Sequence, residues 1–170
     1  LKRLDKVRSR YDELTRLHTP GYVRTVRAFS ADPWHHVPAA GIGPGDYVVD
    51  LGSGDGRLVL TAVNRYKAKG GFGVDIEAPL VAQANESARK EGVADRVQFH
   101  VRDLFETDVS QASVVTLYLL QSLNEKLIPK LNKDLKPGTR IVSQTFSMGD
   151  KYPPEKTVEV NGRRLHFWTI

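Results

Sequence analysis

The 170-residue chain contains no cysteine, which excludes disulfides and thiolate metal sites and removes the usual redox clue to a compartment. It also has no run of about 18 apolar residues, so no spanning helix lies within it, and no signal-peptide pattern opens it. The first residue is Leu1 rather than Met, which leaves room for an upstream segment carrying targeting or anchor information; on the chain as it stands the expected location is the cytoplasm. The adjacent His35 and His36 have no second ligand cluster beside them in the sequence, so no metal is expected. What is present is an apolar content of 40%, enough for one globular domain with a full-sized core.

The net charge of +5 is unevenly placed. Residues 1–30 hold eight basic side chains (Lys2, Arg3, Lys6, Arg8, Arg10, Arg16, Arg24, Arg27) against three acids (Asp5, Asp12, Glu13), and the rest of the chain is neutral. Such a segment can attract nucleic acid, an anionic membrane face or an acidic protein surface, or it can be a solvated helix face. Leu1, Leu4, Val7, Tyr11, Leu14 and Leu17 recur at three- and four-residue steps, the pattern of an amphipathic helix. Thr19 and Pro20 cap and start a second short helix carrying Tyr22, Val23, Val26 and Phe29. Residues 1–30 therefore read as a basic helical arm, with the main domain spanning 31–170.

The densest signal is Tyr47-Val48-Val49-Asp50-Leu51-Gly52-Ser53-Gly54-Asp55-Gly56-Arg57, an apolar strand that runs through an acid into a glycine-rich turn and then a helix. It differs from the G-x-G-x-x-G fingerprint of dinucleotide binding, because Arg57 stands where the third glycine should allow close helix–sheet packing. Asp50 and Asp55 flank the turn, and their charges oppose a pyrophosphate at the helix N-terminus. A ligand bearing cationic groups suits the turn better. Two further acids follow at strand ends: Asp75, after residues 71–74 and about 20 residues past the turn, where an acid takes ribose hydroxyls, and Asp103, after residues 97–102.

At these residues the chain resembles the class I, Rossmann-like S-adenosylmethionine-dependent methyltransferases, in register through Phe146. The resemblance implies S-adenosylmethionine as cofactor, with an ammonium and a sulfonium and no phosphate. It implies a cofactor site of Asp50, Gly52, Ser53, Gly54, Asp75, Ile76, Asp103 and Leu104, in which Asp50 serves the methionine ammonium, Asp75 the ribose and Asp103 the adenine amino group. Val37-Pro38-Ala39 is similar to the segment that covers the methionine end of the cofactor in a protein-lysine methyltransferase subgroup. Residues 114–120 and 135–143 look like the group of ATP synthase c-subunit lysine methyltransferases and archaeal broad-specificity lysine methyltransferases.

The rest of the chain fits an α/β fold with a doubly wound, mostly parallel sheet, a C-terminal antiparallel hairpin and two N-terminal helices. Helical stripes (Leu58, Val59, Ala62, Val63, Tyr66; then Leu80, Val81, Ala84, Ala88) alternate with strands at 71–76, 97–104, 113–120 and 140–146. Leu123, Leu127, Leu131 and Leu135 mark another helix, with a break or late start expected at Pro129. Residues 157–160 and 165–170 pair across Asn161-Gly162. The segment between Phe146 and Thr157, with Pro153-Pro154, is too short for the helix usual there, so one sheet face is expected to be thinly covered by the domain itself, leaving room for the N-terminal helices or a second copy.

For the reaction, the acceptor-facing residues of this class come from the end of the fourth strand, here Tyr118-Leu119-Leu120-Gln121. Tyr118 is the candidate catalytic side chain, orienting an amine by its hydroxyl or ring, or else a core aromatic. The Asn-Pro-Pro-Tyr signature of nucleic-acid amino methylation is absent. A protein lysine is the expected acceptor, with RNA, a small molecule, or cofactor binding without catalysis as alternatives; membrane contact through the basic arm stays open, as does the oligomeric state.

Overall fold

A computed structural model describes residues 37–170. The two expected N-terminal helices, the basic arm and the paired histidines lie outside the described residues. Residues 37–39 are helical and lead through a turn into β1 (Tyr47–Leu51). After it come α1 (Arg57–Asn64), β2 (Gly70–Asp75), α2 (Ala78–Lys90), β3 (Val97–Val101), a 3-10 turn (Leu104–Glu106), β4 (Val114–Leu117), α3 (Gln121–Asp134), β5 (Arg140–Gln144), β6 (Lys156–Val160) and β7 (Arg163–Thr169).

The seven strands form one sheet in the order β3-β2-β1-β4-β5-β7-β6. β3, β2, β1, β4 and β5 are parallel, and β7 runs antiparallel between β5 and β6. The order reverses direction between β1 and β4, which opens a crevice at the carboxyl ends of those strands. β1, β2 and β4 are buried on both faces and accordingly read as near-continuous apolar or glycine runs. One face packs Val48, Val97, Phe99, Val114 and Val142 against α1, α2 and the pre-β1 residues Val37, Ala40 and Ile42. The other packs Val49, Leu51, Phe72, Val115 and Ile141 against α3.

Several expected boundaries shift, each for a local reason. α3 continues through Pro129 to Asp134, with no break. A proline inside a helix costs about 3 kcal/mol, but Leu123, Leu127 and Leu131 are all buried on its inner stripe, each worth about 1.5 to 3 kcal/mol. β3 stops at Val101 rather than 104, because the Asp103 side chain caps the 3-10 turn by accepting from Phe105 N at 2.9 Å. β4 covers Val114–Leu117 and not the whole of 113–120; Leu119 folds over the glycine turn and Leu120 caps α3. β2 runs Gly70–Asp75, leaving Ile76 just beyond its end, and β5 ends at Gln144 rather than Phe146, because Thr145 turns to φ +69°.

The hairpin turns at Asn161-Gly162 as its sequence predicts, but its second strand runs Arg163–Thr169 rather than 165–170, because Val160 pairs directly with Arg163 across the two-residue turn. No helix lies between β5 and β6, yet that stretch is not bare. Met148 is buried and Tyr152 packs on the α3 face, where Trp168 Nε1 donates to Tyr152 O at 3.1 Å. The loop before β1 is tied to the bottom of the sheet by Arg140, which donates to Ala40 O and Gly41 O at 2.8 Å each and pairs with Asp46.

Candidate active site

The carboxyl ends of β1 and β2 meet at the glycine turn. Gly52 N and Ser53 N donate to Val74 O at 2.9 and 3.0 Å, so the turn continues the β1–β2 ladder past the last strand residue. Asp75 then closes the turn: its Oδ2 accepts from Gly54 N at 2.9 Å and its Oδ1 from Glu77 N at 3.0 Å. The acid expected at the ribose therefore also fixes the glycine loop, and each of its oxygens retains a second lone pair.

Two glycines let these parts come together. At Gly56 (φ +78°) a Cβ would lie 2.5 Å from the Phe99 ring and 2.9 Å from Ala84 Cβ, so turn, α2 and β3 touch there. Gly56 thus does the close-packing work of the third glycine in a dinucleotide fingerprint, one residue earlier than that pattern expects. At Gly73 a Cβ would lie 2.4 Å from Ser53 Cβ; its absence lets Ser53 sink between β1 and β2. Ser53 is 7% exposed and its Oγ is buried with no hydrogen-bond partner.

Asp50, the fourth residue of β1, is 6% exposed. Thr116 Oγ1 donates to its Oδ1 at 2.7 Å. Burial pushes the Asp50 carboxyl up to about 7; the neighbouring Asp75 and Asp55 charges add to the rise, and the Thr116 hydrogen bond opposes it. Asp55 behaves differently. Burial acts to raise it, but the Arg57 guanidinium, whose Nε lies 2.8 Å from Oδ1, outweighs that and holds it below the usual carboxylate range. The turn therefore gathers three carboxylates, and among the described residues Asp55 alone of them is paired with a cationic side chain.

That arrangement fits the implied cofactor. A cationic ammonium beside Asp50 supplies the charge the site lacks, a polar group on the ligand gives Ser53 Oγ its missing partner, and a phosphate would be repelled. The structure brings Asp50, Gly52, Ser53, Gly54 and Asp75 into one connected turn. Half-buried Ile76 follows at the end of β2, and buried Asp103 and Leu104 stand past β3, the next strand along. Tyr118 is the residue after β4, half-buried, at the same end of the sheet. Thr116 is a site residue that the sequence reading misses, although a lone hydroxyl inside Val114-Val115-Thr116-Leu117 signals a buried partner. Among the described residues no group of three or more His, Cys, Asp or Glu is arranged to hold a metal ion.

Comparison with known proteins points the same way. The family model of the ANTKMT methyltransferase domain matches residues 50–155. A protein-lysine N-methyltransferase of Saccharolobus islandicus (strain REY15A) is 41% identical over 121 residues, 71% of this chain and 75% of that protein. The ATP synthase c-subunit lysine N-methyltransferase of Rattus norvegicus is 32% identical over 115 residues, 66% of this chain and 51% of that protein, so this chain spans about half the length of that relative. A crystal structure of an RNA methyltransferase from Salinibacter ruber in complex with S-adenosyl-L-homocysteine matches with a TM-score of 0.75 and 46% identity, covering 79% of this chain and 86% of that one. Fold, strand-end acids and likenesses together define an S-adenosylmethionine-dependent methyltransferase with a Rossmann-like sheet. Within that class the chain belongs to the ANTKMT methyltransferase family.

Proposed function

We propose that this chain methylates the side-chain amine of a protein lysine. The observation that carries the reading is the 41% identity to an archaeal protein-lysine N-methyltransferase over 75% of that protein's length. The absence of Asn-Pro-Pro-Tyr after β4, where Tyr118-Leu119-Leu120-Gln121 stands, agrees with it.

In this reading ionised Asp50 holds the methionine ammonium, Ser53 Oγ and the amides of the glycine turn line the methionine end, and Asp75 takes the ribose hydroxyls. Asp103 would take the adenine amino group, and Ile76 and Leu104 would supply apolar contacts to the base. Bound S-adenosylmethionine supplies a methyl group on a sulfonium, open to in-line displacement by a neutral amine. The lysine ammonium has a reference pKa near 10.4, so exposing its lone pair at pH 7 costs about 4 to 5 kcal/mol. Desolvation in the crevice and a neighbouring cationic charge lower that cost, and Tyr118 orients the amine.

A second reading, RNA as acceptor, has one specific support: the Salinibacter ruber protein bears the name RNA methyltransferase. Incubation of a cell extract with deuteriomethyl cofactor and this chain separates the two. Peptide mass spectrometry is expected to place the label on lysine side chains. Label recovered in nucleosides after RNA digestion, with none on lysine, contradicts the proposal.

A further inference from the structure

Gln144 carries an amide that the cofactor site does not use. It is the last residue of β5, only 6% exposed, and its Nε2 is buried without a hydrogen-bond partner. Buried polar atoms are almost always paired, so an unpaired one at the carboxyl end of a sheet strand, where ligands of such sheets bind, points to a partner from outside the chain. The register places it with the site. Asp50 lies beside Thr116 and Thr116 beside Val142, and alternation along the strand puts Gln144 next on that face. Leu117 pairs with Ser143, so Tyr118 and Gln144 follow side by side at the carboxyl ends of β4 and β5. About 10 Å separates β5 from β1 across the sheet, leaving β4 between Gln144 and the cofactor turn.

The backbone after Gln144 is strained and held from several sides. Thr145 has φ +69°, and Phe146 N donates to Gln144 O at 2.8 Å across it, the geometry of the rare γ-turn of positive φ, here on a β-branched residue. Thr145 N donates to Arg164 O at 2.7 Å, and Ser143 Oγ to Phe146 O at 2.6 Å. The wholly buried Asn124 donates through Nδ2 to Ser143 Oγ, Phe146 O and Ser147 O at 3.1 to 3.2 Å. Strain of this kind persists only where its surroundings over-determine it, and it clusters at functional sites. Its effect here is to end β5 abruptly and fix the point from which the Gln144 side chain starts.

We infer that Gln144 is a second amine-orienting residue of the acceptor site, beside Tyr118, an assignment that rests on the lysine reading above. A neutral primary amine has two N–H donors and one lone pair. If the amide oxygen of Gln144 accepts one N–H, the lone pair is turned toward the methyl group. A half-turn of the amide exchanges its donor and acceptor ends without changing its shape, so either end can be the one that meets the amine as the side chain adjusts to the acceptor. An uncharged acceptor suits this role, because a carboxylate at the same place would stabilise the ammonium and oppose its deprotonation.

The test follows label transfer from tritiated S-adenosylmethionine to a lysine-rich histone mixture by the full chain, Gln144→Met and Gln144→Glu, between about pH 7 and 10. Affinity for S-adenosylhomocysteine and the melting temperature are measured alongside. Gln144→Met is expected to lower kcat about five- to tenfold, the loss of one hydrogen bond, with cofactor affinity and melting temperature retained. Gln144→Glu is expected to move the rising alkaline limb of the rate about one pH unit upward. An unchanged kcat in Gln144→Met, an unmoved limb in Gln144→Glu, or a matching loss of cofactor affinity overturns the assignment while leaving the lysine reading standing. An unsubstituted chain that, offered total RNA beside the histones, labels the RNA but no lysine overturns the reading itself and the assignment with it.

Discussion

Asp50 carries the sharpest dependence on pH. Its carboxyl, pushed up to about 7 by burial and by two neighbouring acids, must be ionised to hold a ligand ammonium. Affinity for S-adenosylhomocysteine should therefore fall about tenfold between about pH 8 and pH 6, as the proton competes with the ligand. Stability of the free protein runs the other way. The folded state binds this proton more tightly than the unfolded state, so the contribution of Asp50 is fully present below its unfolded value and is lost as the pH rises through about 7. Equilibrium dialysis and thermal melts across this range check both slopes, and Asp50→Asn should flatten both. Equal affinity at the two pH values would mean that Asp50 does not carry the ligand charge. The acid itself is legible in the sequence, since it stands inside an apolar strand that runs directly into the glycine turn. Its partner Thr116 is not, because the hydrogen bond joins residues 66 apart and only the parallel pairing of β1 with β4 brings them together.

Among the elements, the glycine turn is set by how closely α2 and β3 approach it. Gly56→Ala places a Cβ 2.5 Å from the Phe99 ring at a backbone angle that side chains rarely adopt. The substitution should destabilise the fold by about 2 kcal/mol or more, read as a lowered denaturant midpoint with an unchanged slope. A loss under about 0.5 kcal/mol would mean that the turn is not packed in this way. The order and type of the elements from β1 onward follow from their period and punctuation, and the sequence reading differs mainly at their ends. Two of those ends depend on contacts the local pattern does not contain, Leu119 closing over the glycine turn and the supports of Thr145, whereas the cap that Asp103 places on Phe105 N is local and available in the sequence. At Pro129 local propensity argues for a break, and the buried leucine stripe of α3 prevails over it.

Over the whole chain, the charge distribution separates the neutral domain from residues 1–30, which carry the entire net charge. If that basic segment recruits the acceptor, removing residues 1–18 should lower the rate on a macromolecular acceptor and leave cofactor affinity nearly unchanged. Raising salt from about 0.05 to 0.5 M should lower the rate of the full chain as well, since screening shortens the reach of exposed charges. Truncation that instead lowers the melting temperature and loosens cofactor binding would show that Leu4, Val7, Tyr11 and Leu14 serve the fold rather than the substrate.

Whether the ends of β1, β2 and β3 hold S-adenosylmethionine is decided by calorimetric titration of the full chain with S-adenosylhomocysteine near pH 8, where Asp50 is mostly ionised. Saturable binding at a single site is expected, with much weaker binding by the Asp50→Asn variant. No binding at millimolar ligand would refute the assignment of this crevice as a cofactor site.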